Sequence, residues 1–468
     1  MSHEDTTEVG PSPRRRRAAS AQIATGLVVV WAPDDPAALG AFTPVAGATV
    51  FGRSAETVLL RQRPGQDLPA PGLTSPRISR QQLRLGALSG GRLSVENVGR
   101  APLRLKGERV AQGVVGPGDL VEIGERMLLL CVSRPCPLPL PLDGVALEFP
   151  WAAPDAAGLV GESPALWALR GSIGFVGPRP GHVLVLGLSG SGKELVAAAI
   201  HQHSPRAART MIARNAATLP PALIDAELFG HARNYPNAGM PERPGLVGEA
   251  DGSTLFLDEI GELPEAQQSH LLRVLDGGEY QRLGESRPRR ADLRLIAATN
   301  RSPESLKPDF LARFRHVVEV PPLRDRREDL PLLVRHLLRR AARDDARLAA
   351  RFLMPAGEPG GDGEPRVSAE LVEAVLRHPL PLQIRELDAL LWRALARSIG
   401  DVVELCEALP VDPGGPGGSS TDPADVDVET LRAAVVEHGG VQEKIWRALG
   451  LQSRYVLRRL LKKHGLES

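Results

Sequence analysis

The segment GLSGSGK at 187–193 constrains this chain more than any other. It follows a short apolar run at 183–186 and precedes a helical pattern at 194–201. Strand, glycine-rich turn and helix in that order is the setting in which a P-loop works. The glycines let backbone N–H groups turn toward phosphate oxygens, and the helix N-terminus adds favourable partial charge. Gly187, Ser189, Gly190, Ser191, Gly192 and Lys193 are therefore candidate phosphate ligands, with Lys193 placed to reach the β- and γ-phosphates. Glu194 stands where the general motif has Ser or Thr, which removes the usual hydroxyl ligand for magnesium. Such a unit needs a parallel sheet around it. Further apolar runs at 211–213, 254–257 and 293–298, with helical periodicity between them, supply one.

The second signal is TLFLDE at 254–259, an apolar strand ending in two carboxylates. That is the layout of metal-assisted phosphoryl transfer. Asp258 is the candidate magnesium ligand, directly or through water. Glu259 is the candidate that polarises the attacking water. ATP and Mg2+ are the implied cofactors.

A chain of 468 residues has room for about three domains. Residues 1–24 are polar and read as a disordered tail, and 25–133 as an all-β sandwich of short apolar runs between Gly/Pro/Asp/Ser turns. A Pro-rich linker is expected at 134–158, the α/β core at 159–325, and a purely helical subdomain at 326–408 with a Pro/Gly interruption near 355–365. VDPGGPGGSSTDPA marks a second linker at 409–426. The 57 Lys and Arg against 56 Asp and Glu exclude a basic footprint over the whole chain, but not a local one. One appears at the end. Within 427–468 two helical patterns flank ALGLQS with helix-turn-helix proportions, and the second carries Arg454, Arg458, Arg459, Lys462 and Lys463 with no acidic residue. Arg454, Tyr455, Arg458, Arg459 and Lys462 are the candidate DNA contacts. Three cysteines make no disulfide framework, and no apolar run approaches the roughly 18 residues of a membrane span. A cytoplasmic protein without membrane partners is the expectation.

From 159 to 400 the sequence resembles the AAA+ domain of bacterial enhancer-binding proteins, the activators of sigma-54 RNA polymerase. The pieces that carry the resemblance are LVGESPAL (159–166), GLSGSGKELV (187–196), ELFGH (227–231), STLFLDEIGELP (253–264), LRLIAATNR (293–301), PPLRDRREDL (321–330) and PLQIREL (381–387). They occur in the family's order and at close to its spacing. Glu194 after the lysine is the family's usual residue. The resemblance implies further roles: Asn215 senses and restrains the catalytic glutamate, Thr299 and Asn300 form the polar sensor, and Arg385 reaches the nucleotide from the helical lid. It also implies a homo-oligomeric ring in which arginine fingers act in trans on a neighbour's nucleotide. The family's two arginines six residues apart fall here on Lys307 and Arg313. Lysine keeps the charge and loses the planar fork. The family's GAFTGA loop, which touches sigma-54, falls on NYPNAG at 234–239.

The terminal segments resemble further modules of such regulators. The C-terminal helices are similar to a Fis-type DNA-binding domain. The N-terminal region resembles a forkhead-associated domain through FGR (51–53), Ser79-Arg80 and GDLVEIG (118–124). That resemblance implies a phosphothreonine peptide bound by Arg53, Ser79 and Arg80, either from a partner protein or from the chain's own tail, which carries Thr6 and Thr7. The family's His after Ser-Arg-x is Gln82 here, and its Asn-Gly pair falls near Ala101-Pro102.

The expected molecule is thus multidomain: an all-β sandwich, an α/β AAA+ P-loop domain with a helical lid, and an all-α helix-turn-helix. Two functions stay open at this level. One is an ATP-dependent, DNA-binding transcriptional regulator of the sigma-54 activator type with a phosphopeptide-type sensor. The other is a DNA-bound signalling regulator that uses nucleotide only for assembly and does not contact sigma-54. A metabolic P-loop kinase explains neither the sensor and finger positions nor the C-terminal helices.

Overall fold

The computed structural model describes residues 22–141, 149–355, 363–406, 409, 428–437, 445, 449, 457 and 461. The N-terminal region is built from strands β1 (Gln22–Trp31), β2 (Phe42–Pro44), β3 (Thr49–Phe51), β4 (Leu60–Arg63), β5 (Gln66–Pro69) and β6 (Leu83–Ala87). β7 (Leu93–Asn97), β8 (Leu103–Leu105), β9 (Glu108–Val110), β10 (Gln112–Val115), β11 (Leu120–Ile123) and β12 (Met127–Cys136) complete it. They form an eight-stranded sheet, β5-β4-β2-β1-β12-β11-β8-β9, and a four-stranded sheet, β10-β7-β6-β3. The core between the sheets takes Leu27, Val29, Met127, Leu129 and Cys131.

The alternate residues of the same two strands face outward and are buried as well. Val28, Val30, Leu128 and Leu130 share one apolar cluster with Leu332, Leu333, Val372 and Leu376 of the helical subdomain. Continuous apolar runs such as LVVV and LLLC are what a strand buried on both faces requires, because successive side chains point to opposite sides. The sheet region is therefore packed on the rest of the chain rather than tethered to it. Two expected boundaries move as a result. β1 begins inside the stretch assigned to the tail, and β12 runs into the first residues of the expected linker. Their ends hold each other, with Gln22 opposite Cys136. Residues of the same linker stretch are buried too, among them Arg134, Leu138 and Ala152. The tail at 1–21 otherwise lies outside the described residues.

The α/β core contains α1 (Pro164–Val176), β13 (His182–Leu186), α2 (Lys193–Gln202), β14 (Ile212–Asn215), α3 (Ile224–Phe229), α4 (Gly245–Glu249), β15 (Thr254–Asp258) and α5 (Glu265–Gly277). It continues with β16 (Glu279–Tyr280), β17 (Arg289–Arg290), β18 (Arg294–Thr299), α6 (Pro308–Leu311) and β19 (Phe314–Glu319). The main sheet is five-stranded, in the order β14-β15-β18-β13-β19. Its pairings are parallel. Four strands match the apolar runs of the sequence. β19 does not: it is an edge strand, and its segment FRHVVE alternates buried and exposed positions instead of forming an apolar run. Gly187, Asp258 and Thr299 all fall at strand C-termini, the rim where open α/β sheets bind ligands.

The helical subdomain follows with α7 (Leu330–Asp344), α8 (Ala346–Phe352), α9 (Ala369–Arg377) and α10 (Gln383–Arg397). Most of its expected Pro/Gly interruption, 356–362, is outside the described residues. At the C-terminus α11 (Val428–Glu437) contributes Leu431 and Ala434 to a small apolar cluster with Ile445, Leu457 and Leu461. The proposed DNA contacts Arg454, Tyr455, Arg458, Arg459 and Lys462, and the linker apart from residue 409, lie outside the described residues. Among the described residues no helix is long and apolar enough to cross a membrane.

Candidate active site

The loop after β13 has the conformation that its glycines permit. Gly190 and Gly192 lie at φ +76° and +100°, the left-handed region that favours glycine. A Cβ on Gly190 would sit 2.3 Å from Leu382 O, so the loop and the helical subdomain meet too closely for any side chain there. Ser191 Oγ is buried without a hydrogen-bond partner, as suits an atom that awaits a phosphate. Lys193 is buried at the start of α2. Its Nζ donates to Gly187 O at 3.1 Å and lies 3.5 Å from Glu259 Oε1. Glu194 is exposed in the first turn of α2.

The carboxylates sit beside it. Asp258 Oδ1 accepts the Glu259 N–H at 2.9 Å. Burial pushes the Asp258 carboxyl up from its ordinary value, while that hydrogen bond and the nearby Lys193 charge oppose the change. Glu259 has φ +50°, strained for a non-glycine residue and of the kind found where function over-determines the backbone. Its Oε2 accepts the Asn300 N–H at 3.3 Å. Thr299 is fully buried, with its carbonyl accepting the Gly187 N–H at 3.2 Å and its Oγ1 accepting from Arg301 N at 3.1 Å. Asn215 ends β14 directly opposite Asp258 in register. Its Oδ1 accepts from Ala217 N at 2.9 Å, so in this state the side chain caps a local turn and leaves Glu259 to Asn300 and Lys193.

From above, Arg385 Nη1 donates to Ser189 Oγ at 3.3 Å and Ile384 N donates to Gly190 O at 3.1 Å. Lys193, Asp258, Glu259, Thr299, Asn300 and Arg385 thus meet on one rim. A glycine-lined loop with an unpartnered Ser191 Oγ, one buried lysine and two carboxylates suit a nucleotide with magnesium, an ion that keeps water and substrate oxygens as ligands. Among the described residues no group of three or more His, Cys, Asp and Glu forms a dedicated metal cage. Asp258 is the residue that would hold the ion.

Lys307 and Arg313 lie elsewhere. Lys307 Nζ donates to Ser269 Oγ at 3.0 Å, and Arg313 pairs with Asp276. Both partners belong to α5. Among the described residues neither cation is hydrogen-bonded or ion-paired to the P-loop. The 234–239 loop is exposed and closes on itself. Asn234 Oδ1 accepts from Gly239 N at 2.9 Å, and Tyr235 covers Gly284 of the neighbouring hairpin loop.

Asp329 plays a part that the sequence analysis missed. Its carboxylate accepts from Glu162 N (2.7 Å), Ser163 N (2.8 Å) and Ser163 Oγ (2.5 Å), pinning the entry to α1. Asp329 belongs to PPLRDRREDL, but a contact across 166 residues leaves no periodic trace.

In the N-terminal sheets the loops after β3 and before β6 are zipped together. Arg53 N donates to Ser79 O and Ser54 N to Arg80 O, both at 3.0 Å. Arg53 and Arg80 are exposed and Ser79 is half-buried. Ser79 Oγ accepts from Arg100 N at 2.9 Å. Gln82 is buried beneath them. Its amide accepts from Ser79 N (3.1 Å) and donates to Asn97 Oδ1 (2.8 Å) and Ala101 O (2.9 Å). The amide thereby ties the loop of Ser79 to that of Arg100, and the Gln82 backbone N–H donates to Phe51 O at 2.9 Å beside Arg53.

Residues 159–316 match the family model of the sigma-54 interaction domain. The transcriptional regulatory protein ZraR of Salmonella typhimurium is 35% identical over 325 residues, covering 67% of this chain and 70% of that protein. The DNA-binding transcriptional regulator NtrC of Klebsiella pneumoniae is 45% identical over 195 residues, 40% of this chain and 42% of that one. A crystal structure of NtrX from Brucella abortus in complex with ATP is 28% identical, with a TM-score of 0.47 over 66% of this chain and 69% of the other. The chain belongs to the family of transcriptional regulators built on the sigma-54 interaction domain.

Proposed function

We propose that this chain is a DNA-bound regulator in which ATP hydrolysis between ring neighbours moves the 234–239 loop against the transcription machinery. The chain is an ATPase of the AAA+ type. The observation that carries the finer reading is the division of its catalytic parts. Lys193, Asp258, Glu259 and Arg385 meet at one rim, while Arg313 and Lys307 are held on α5. A site with its phosphate cradle and base in place but no arginine finger of its own needs a second subunit.

The residues divide the work by position. Gly187 to Gly192 and Lys193 bind the phosphates. When bound, magnesium would neutralise charge on the phosphate oxygens at Asp258. Glu259 orients and deprotonates the attacking water once nucleotide draws Lys193 away from it. Asn215 is one strand from Glu259 and is placed to restrain it, and Thr299 and Asn300 link the γ-phosphate end to the core. Arg385 reports nucleotide to the lid. Arg313 of a neighbour stabilises transition-state charge, with Lys307 as a weaker second cation.

In the same reading the C-terminal helices bind DNA through the basic residues between 454 and 462, and Arg53, Ser79 and Arg80 take a phosphothreonine peptide. The replaced loop tip favours a second reading, nucleotide-controlled assembly without sigma-54, because Pro236 and Asn237 stand where the Phe and Thr of the tip would be. ATP turnover per subunit should rise with protein concentration and fall by about a hundredfold or more in Glu259→Gln. Turnover independent of concentration would sink the ring mechanism. Capture of sigma-54 in the presence of a transition-state nucleotide analogue decides between the readings, and failure to capture it selects the second.

A further inference from the structure

One short segment, residues 323–329, touches three parts of the molecule. Leu323 N donates to Gln383 Oε1 at 2.7 Å, two residues before Arg385. Asp329 holds the entry to α1, as described above. Between them Glu328 pairs with Arg134 of β12 at 2.5 Å, with side-chain exposures of 11% and 3%. Arg134 is held in turn by Gln62 Oε1 at 3.2 Å and lies over the Phe42 ring at 4.8 Å. Burial pushes the Glu328 carboxyl up, and the Arg134 charge opposes it. Buried ion pairs are weak evidence for stability, and their best-attested use is to enforce one arrangement over others.

The sheet region also grips the other side of this junction between core and lid. Arg63 of β4 donates to Phe149 O at 2.8 Å and lies 4.7 Å above the Phe149 ring. It is also 3.6 Å from Glu162, the residue whose N–H Asp329 holds. Trp31 of β1 donates to Val367 O of the helical subdomain at 2.9 Å. One rigid element therefore spans the junction between core and lid, and the lid turn that carries Arg385 is hydrogen-bonded to that junction. A hinge that is bridged on both sides cannot open without breaking one set of these contacts.

We propose that Arg134 and Glu328 are positioning residues for the nucleotide sensor Arg385. Through them the N-terminal sheets brace the lid at the angle that keeps Arg385 and Ile384 on the P-loop, and slackening this brace speeds nucleotide release. The proposal rests on the assignment of the P-loop as the ATP site. It requires no contact between the sheet region and the nucleotide.

The test is stopped-flow release of a fluorescent ADP analogue, with magnesium, from the full-length chain. Arg134→Glu and Glu328→Arg should each accelerate release by about five- to tenfold, a typical coupling between distinct sites. Arg134→Lys, which keeps the charge, should fall between these and the parent. The double swap Arg134→Glu/Glu328→Arg should return toward the parental rate, whereas structural damage alone would add the two defects. Thermal unfolding identifies folded variants. If the charge reversals do not fold, Arg134→Gln and Glu328→Gln take their place, with the same acceleration expected. Unchanged release in folded single variants, or a double swap at least as fast as either single, overturns the brace alone. An analogue that does not bind the unmodified chain overturns the nucleotide assignment and the brace with it.

Discussion

The α/β core and the N-terminal sheets both gather cationic and hydroxyl groups fit for phosphate, but they do it in opposite ways. In the core three of the functional residues directly follow or end a strand of one parallel sheet: Gly187 after β13, Asp258 ending β15, Thr299 ending β18. The sheet registers the strands, so contiguous motifs deliver a working site. In the N-terminal region Arg53 and Ser79 come from two loops joined by backbone hydrogen bonds and by Arg53 Nε donating to Ile78 O at 3.3 Å, with the buried Gln82 amide beneath Ser79. A site built on strand ends should lose chemistry, not structure, when one side chain is changed. A site built on tied loops should lose structure when the tie is cut.

Several substitutions can break or sharpen that contrast. Arg313→Ala should lower ATP turnover about a thousandfold, the order of an arginine finger, without loss of thermal stability. Phosphate release at saturating ATP measures it. Glu259→Gln should cost about a hundredfold or more in the same assay while nucleotide binding persists, because only the general base is removed. Gln82→Ala should do the reverse. It leaves Asn97, Ala101 and Ser79 groups without their buried partner, at a cost of about 1–3 kcal/mol in urea unfolding. If it unfolds no more easily than the parent, the loops are not tied as described. Ser79→Ala should weaken binding of a phosphothreonine peptide about tenfold by calorimetry, the value of one hydrogen bond to a charged group. Lys307→Ala should have the smallest effect, less than about tenfold on turnover, since an ammonium lacks the planar fork of a guanidinium. A loss as large as that of Arg313→Ala would make Lys307 a full finger.

The same contrast explains what was legible in the sequence. The strands β13, β15 and β18 and the residues after them were readable because a buried parallel strand is a continuous apolar run and a phosphate loop needs glycine at fixed places. β19 was not, since an edge strand is buried on one side and its FRHVVE carries only half the signal. The runs at 27–30 and 127–132 showed that β1 and β12 are apolar on both faces, but not that lid helices cover the outer one. Contacts such as Arg134 with Glu328, 194 residues apart, and Asp329 with Ser163 have no period and no motif of their own. The stretch from 134 to 158 reads as a loose linker, yet its described residues Arg134, Leu138 and Ala152 are buried.

The central claim is that one subunit supplies Glu259 and its neighbour supplies Arg313 to the same nucleotide. It is tested most directly by mixing full-length Glu259→Gln with full-length Arg313→Ala and measuring phosphate release. Each variant alone should be nearly inactive. In a mixed ring a site that combines the intact Glu259 of one chain with the intact Arg313 of the next should hydrolyse ATP, so turnover should rise well above the sum of the two. No recovery at any mixing ratio would contradict the account.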